Sequence, residues 1–178
     1  EAQDLPAVLD AAEQLVGKVA VRWVIVGDGR MSEWLGQQVH SRGLDNVLLL
    51  GRHPLEEMPG LFARADALLV SLKTNDVFEK TIPGKVQAYL ASGRPLLGMI
   101  NGEAARVIDE SGAGFTCASG DAQGLANITL ALASTDATQL KAMGDSGREY
   151  YLSHFAKSRL LARLEDLFRN ATLRKVSD

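Results

Sequence analysis

Five short runs of branched apolar residues, at positions 21–26, 47–50, 67–72, 95–100 and 114–118, constrain the fold of this chain more than any other feature. Each is shorter than a typical helix and is bounded by Gly, Pro or polar residues, which is the pattern of a buried strand. Between the runs the apolar spacing changes to three and four. Leu5, Val8, Leu9, Ala12, Leu15 and Val16 make one helical face; Met31, Trp34, Leu35 and Val39 make a second; Leu55, Met58, Leu61, Phe62 and Ala65 make a third. Val86, Tyr89 and Leu90, then Val107 and Ile108, then Leu125, Ile128 and Leu132 continue the pattern. Strands that alternate with helices pair in parallel and take helices on both faces. The fold class is α/β, a Rossmann-like doubly wound parallel sheet with C-terminal helices.

The 178 residues suit one domain, with an α/β core over about 1–136 and a helical tail over 137–172. The tail carries no strand pattern and breaks near His154. Leu160, Leu161, Leu164, Leu167 and Phe168 form an apolar stripe on its last helix, with Tyr150, Tyr151 and Phe155 nearby. That stripe packs either on its own domain or on a partner domain. A formal net charge of −3 gives no general attraction for nucleic acid or an anionic membrane. Cys117 has no second cysteine to pair with and reads as a small buried hydrophobe, while His40, His53 and His154 lack ligand spacing. No signal peptide is visible, and no apolar run approaches the roughly 20 residues that span a bilayer, so a cytoplasmic setting is expected.

In an open parallel sheet, ligands bind beyond the carboxyl ends of the strands. Gly27, Asp28, Gly29 and Arg30 follow the first run, and Gly51, Arg52 and His53 follow the second. The third leads into a long loop with Lys73, Lys80 and then Lys85. Asn101 and Gly102 follow the fourth run, and Ser119, Gly120 and Asp121 the fifth. Glycine lets backbone approach a ligand, and lysine or arginine neutralises phosphate. Amides at a helix start, such as those of Gly84, Lys85 and Val86 after Pro83, can hold a phosphate oxygen. The edge is basic although the chain is slightly acidic. Gly27-Asp28-Gly29 is a poor dinucleotide fingerprint, because Ser32 stands at the third glycine position; Gly84-Lys85 is no P-loop, because the preceding glycine and following Ser/Thr are missing. No Asp-x-Asp pair is present to hold a metal-bound diphosphate. By default Asp28, Asp66, Asp109 and Asp121 are turn or cap residues.

Four stretches in order resemble the carboxyl-terminal domain of glycosyltransferases of the two-domain GT-B architecture, GT4 type. They are Trp23-Val24-Ile25-Val26-Gly27-Asp28-Gly29; Asn46 to Arg52 with Met58 to Asp66; Ala91-Ser92-Gly93-Arg94-Pro95; and Gly112-Ala113-Gly114. The likeness runs from about Gln3 to Phe168. Where the family commonly has a ribose-binding glutamate this chain has Ala88, and where it has a sugar-side glutamate the chain has Lys80. Gln3 stands at the position of a phosphate-binding lysine. The Pro83-Gly84-Lys85 loop resembles a subgroup that assembles bacterial O-antigen and capsule-type polysaccharides, amino-fucose transferases included.

The resemblance implies a retaining transferase that moves a sugar from a nucleoside-diphosphate donor, with a uridine base suggested by the subgroup, to a glycan or lipid-linked acceptor. Gly27, Gly29, Arg52, Lys80, Gly84, Lys85, Val86, Gln87 and Asn101 are the candidate donor-binding residues. The positive charge missing at Gln3 is supplied by Lys85 with Lys80, and Gln87 faces the ribose hydroxyls. Lysine charge and oriented amides stabilise the leaving diphosphate in place of a metal, so neither a metal nor another cofactor is expected. No catalytic residue is assigned. The acceptor site belongs to an amino-terminal domain outside this chain, as does any attachment to the inner membrane. The chain alone is therefore expected not to transfer sugar. The family also has a strand before the helix that starts at Leu5, so that helix is expected to pack on a sheet with an incomplete edge, prone to self-association. A nucleotide-binding module without catalysis, and a sugar-nucleotide epimerase of similar architecture, are the competing readings.

Overall fold

The computed structural model of the chain describes residues 2–175. Five strands stand where the apolar runs predict them: β1 (Trp23–Val26), β2 (Val47–Gly51), β3 (Leu68–Ser71), β4 (Leu96–Met99) and β5 (Gly114–Cys117). The helices are α1 (Leu5–Gln14), α2 (Ser32–Ser41), α3 (Met58–Arg64), α4 (Asp76–Glu79), α5 (Gly84–Ser92), α6 (Gly102–Glu110), α7 (Ala122–Ala133), α8 (Ala137–His154) and α9 (Lys157–Lys175). All pairing is parallel, with Trp23 opposite Val47, Leu68 opposite Leu96 and Leu96 opposite Gly114.

The strands form two ladders, β1-β2 and β3-β4-β5, with no hydrogen-bonded rung between them among the described residues. The expectation of one sheet with an incomplete edge is thus corrected: the strands divide into two ladders. Packing bridges them: Val8, Leu9 and Ala12 of α1, with Leu15 just past its end, lie in one core with Trp23 and Val47 of the first ladder and Met99 of the second. A second core joins Val70 and Leu96 to Val86 and Leu90 of α5 and to Val107 and Ile108 of α6.

Two expectations need correction. The first helix stops at Gln14, so Val16 falls outside it and is 53% exposed. The first two runs are also not buried on both faces, since Val24 is 50% and Leu48 42% exposed. Strand side chains alternate, so both point away from the core that holds Trp23 and Val47. The crossover helix α3 is seven residues long with none buried. By contrast all four residues of β4 are buried, as a central strand with helices on both faces should be.

The tail behaves in two parts, broken next to His154 as the sequence predicts. α8 packs along α5, with Gly144 and Gly147 buried. α9 leaves Leu160, Leu161, Leu164, Leu167 and Phe168 between 46% and 64% exposed, so most of the apolar stripe is not covered by its own domain. Asp121 and Asp136 cap α7 and α8, their carboxylates accepting from the amides of Gly124 and Gln139 at 2.8 and 2.9 Å.

Candidate functional site

The carboxyl ends of β3, β4 and β5 are tied together by a small polar network. The Leu72 amide donates to the Met99 carbonyl at 3.2 Å, and the Ile100 amide to the Cys117 carbonyl at 3.1 Å. Beyond them, the Ser119 amide donates to Asn101 Oδ1 at 3.1 Å and the Ser119 hydroxyl donates to the Leu72 carbonyl. Asn101 thus spends its carboxamide oxygen on the fold, which leaves its NH2 group for any ligand. The Ser119 tie is invisible in the sequence, where Ser119 is one of three ordinary turn residues.

The start of the chain joins the same edge. The Lys73 amide donates to the Ala2 carbonyl at 2.9 Å, which sets Gln3 and the start of α1 beside the exit of β3. The position where the resemblance expects a lysine is therefore on the ligand edge, and it is neutral. Gly27 and Arg52 are brought together in the other ladder, where the Gly27 amide donates to the Gly51 carbonyl at 2.7 Å. Gly29 accepts from both the amide and the hydroxyl of Ser32 at the start of α2, at 2.9 and 2.7 Å.

α5 opens at Gly84 after an extended Pro83, because proline fixes the entry angle and has no amide to leave unpaired. Of the three first-turn amides, that of Val86 donates to the Pro83 carbonyl at 2.9 Å, and the Val86 side chain is fully buried. The amides of Gly84 and Lys85 have no backbone acceptor among the described residues. The Lys85 side chain is exposed, yet the protein around it removes enough water to pull its ammonium below the ordinary lysine value. No ion pair offsets this among the described residues; the six salt bridges there involve other groups. Lys80 is exposed, and Gln87, one residue past the first turn, is half-buried. The arrangement is an uncompensated cation beside two outward amides, suited to an anion.

A depression lined by Val16, Arg22, Asp45 and Asn46 lies at the amino ends of β1 and β2, the opposite end from this edge. Among the described residues no three His, Cys, Asp or Glu side chains gather as a metal site, and no helix is long and apolar enough to cross a membrane.

Residues 2–135 match the family described as Glycosyl transferases group 1. The chain belongs to this family. Among its relatives is a probable glycosyltransferase, WbjE of Pseudomonas aeruginosa, 27% identical over 132 residues, covering 73% of this chain and 33% of WbjE. Its structural neighbours are GT-B glycosyltransferases. HepE of Anabaena, solved in complex with UDP and glucose, superimposes with a TM-score of 0.75 at 20% identity over 94% of this chain and 45% of HepE. The C-terminal domain of LpcC, a group 1 glycosyl transferase of Francisella tularensis, superimposes with a TM-score of 0.69 at 16% identity, covering 86% of this chain and 80% of that domain. The chain thus spans less than half of the longer proteins and most of the isolated family domain. At these identities the superpositions establish the α/β fold.

Proposed function

We propose that this group 1 domain binds the donor of a retaining, hexosyltransferase-type glycosyltransferase of the GT4 type. The donor is a UDP-sugar and the acceptor a glycan or lipid-linked sugar in bacterial surface polysaccharide synthesis, on the cytoplasmic side of the inner membrane. The observation that carries the reading is the uncompensated Lys85 with the two outward amides of Gly84 and Lys85 at the start of α5. The family membership and a neighbour solved with UDP and glucose support it.

Cleavage of the glycosidic bond leaves negative charge on the departing diphosphate. In this reading Lys85 and those amides favour that charge more than the ground state, which lowers the barrier without a metal. Gln87, two residues past Lys85, meets the ribose hydroxyls as donor and acceptor. Lys80, Arg52 and the glycine turns Gly27 and Gly29 complete the donor contacts. The acceptor and its chemistry belong to the partner half of the protein, so the 178-residue chain by itself binds donor and does not turn it over.

Titration calorimetry of the chain with UDP, a UDP-sugar, GDP and ADP tests the binding. UDP and its sugar should bind and be mutually exclusive; no binding of either at millimolar concentration refutes the reading. Lys80 and Ala88, where the family resemblance places glutamates, favour a second reading, a binding module without catalysis. Consumption of donor by the protein with both halves, with anomeric configuration followed by NMR, separates the two.

A further inference from the structure

The segment between β3 and α5 carries Lys80 and delivers Lys85, so whatever seats it decides where the donor cations stand. Its root is held by the Leu72 bonds described above. Its middle is a single helical turn, α4, stitched locally by the Val77 amide to Asn75 Oδ1 at 2.9 Å and the Glu79 amide to the Asn75 carbonyl at 3.0 Å. These bonds shape the turn but do not place it. Ile82 anchors the far end on the second core, and the turn itself lies against α6.

The contact is made at Gly102, the first residue of α6. A Cβ built on Gly102 would stand 2.6 Å from Glu79 Cα, and closer still to the Glu79 carbonyl oxygen. Both are backbone atoms, which cannot swing aside as a side-chain tip can. Gly102 also has φ +72, a left-handed conformation that only glycine adopts freely.

We propose that Gly102 is a positioning residue of the donor site. Its missing side chain lets the Glu79 backbone settle onto the start of α6, and Lys80, the next residue, is set by that contact along with the approach to Lys85. The inference rests on the donor reading of this edge for its consequence, though not for the contact itself.

Gly112 is a matched control. Its φ is +62, yet a Cβ there would meet nothing within 4 Å. Gly102→Ala and Gly112→Ala therefore share the backbone strain and differ in the clash. Gly102→Asn and Gly112→Asn form a second pair, because asparagine tolerates left-handed backbone better than other side chains.

In the full chain without ligand, amide hydrogen exchange across residues 74–82 should quicken in both Gly102 variants and not in the Gly112 pair. By calorimetry the Gly102 variants should lose about tenfold in UDP affinity, a shift expected from weakened charge-assisted contacts, while uridine binding holds. Exchange and UDP affinity equal to those of the Gly112 variants would overturn the proposal. So would global unfolding of both Gly102 variants, since the contact would then support the whole domain. If wild type binds no UDP, the donor reading fails, and the exchange measurement still decides whether Gly102 seats the segment.

Discussion

Lys85→Met removes a charge from the start of α5 and keeps most of the apolar stem. Folding places Lys85 where burial pulls its ammonium below the ordinary lysine value. The unfolded chain therefore holds this proton more tightly than the folded one, and stability rises with pH between the folded and unfolded values. Below both values the charged lysine opposes folding weakly, since the side chain is exposed. Methionine relieves that opposition, so the ligand-free variant should melt slightly above wild type. UDP reverses the order. A charge-assisted contact to phosphate contributes about 1.5–3 kcal/mol, so the variant should bind UDP roughly ten- to hundredfold more weakly. Uridine, which has no phosphate, should bind both alike. The diphosphate also draws the ammonium back upward, so wild type takes up protons with UDP in alkaline buffer and the variant does not. Calorimetry in two buffers of different ionisation enthalpy, with thermal melts of the free proteins, measures all three effects. A lysine with no ligand gives unchanged UDP affinity, and a damaged fold gives equal losses for UDP and uridine. Either result refutes the reasoning.

Three further outcomes are expected. Gly144→Ala would set a Cβ 2.8 Å from the Gly93 carbonyl carbon and force α8 away from α5; urea unfolding should show a loss of about 1–3 kcal/mol, with UDP affinity unchanged. The Cys117 thiol is pushed up to about 11 by burial, with the Asp121 carboxylate adding to the effect, so iodoacetamide at mildly alkaline pH should label it slowly in the native protein and rapidly in urea. The unpaired edges of β1 and β3 should make the 178-residue chain self-associate with rising concentration; a strictly monomeric sedimentation profile across the soluble range would count against this.

Strand and helix order was legible in the residues because it depends on local periodicity. Each of the five apolar runs coincides with an observed strand, β2 reaching one residue further to Gly51, and Pro83 marks the start of α5 as proline chemistry predicts. The expectation that Lys80, Gly84, Lys85, Gln87 and Asn101 lie on one edge followed from the rule that parallel strands end at the ligand side. What local pattern could not supply is which bonds those residues have already formed. The amide of Val86 and the carboxamide oxygen of Asn101 look available in sequence and are engaged in the structure. The ladder division, the half-exposed Val24 and Leu48, and the Glu79 backbone against Gly102 belong to the same class. Each depends on atoms far apart along the chain. Strand spacing, helix reach and close backbone contact are properties of the packed tertiary structure, so only the folded chain decides them.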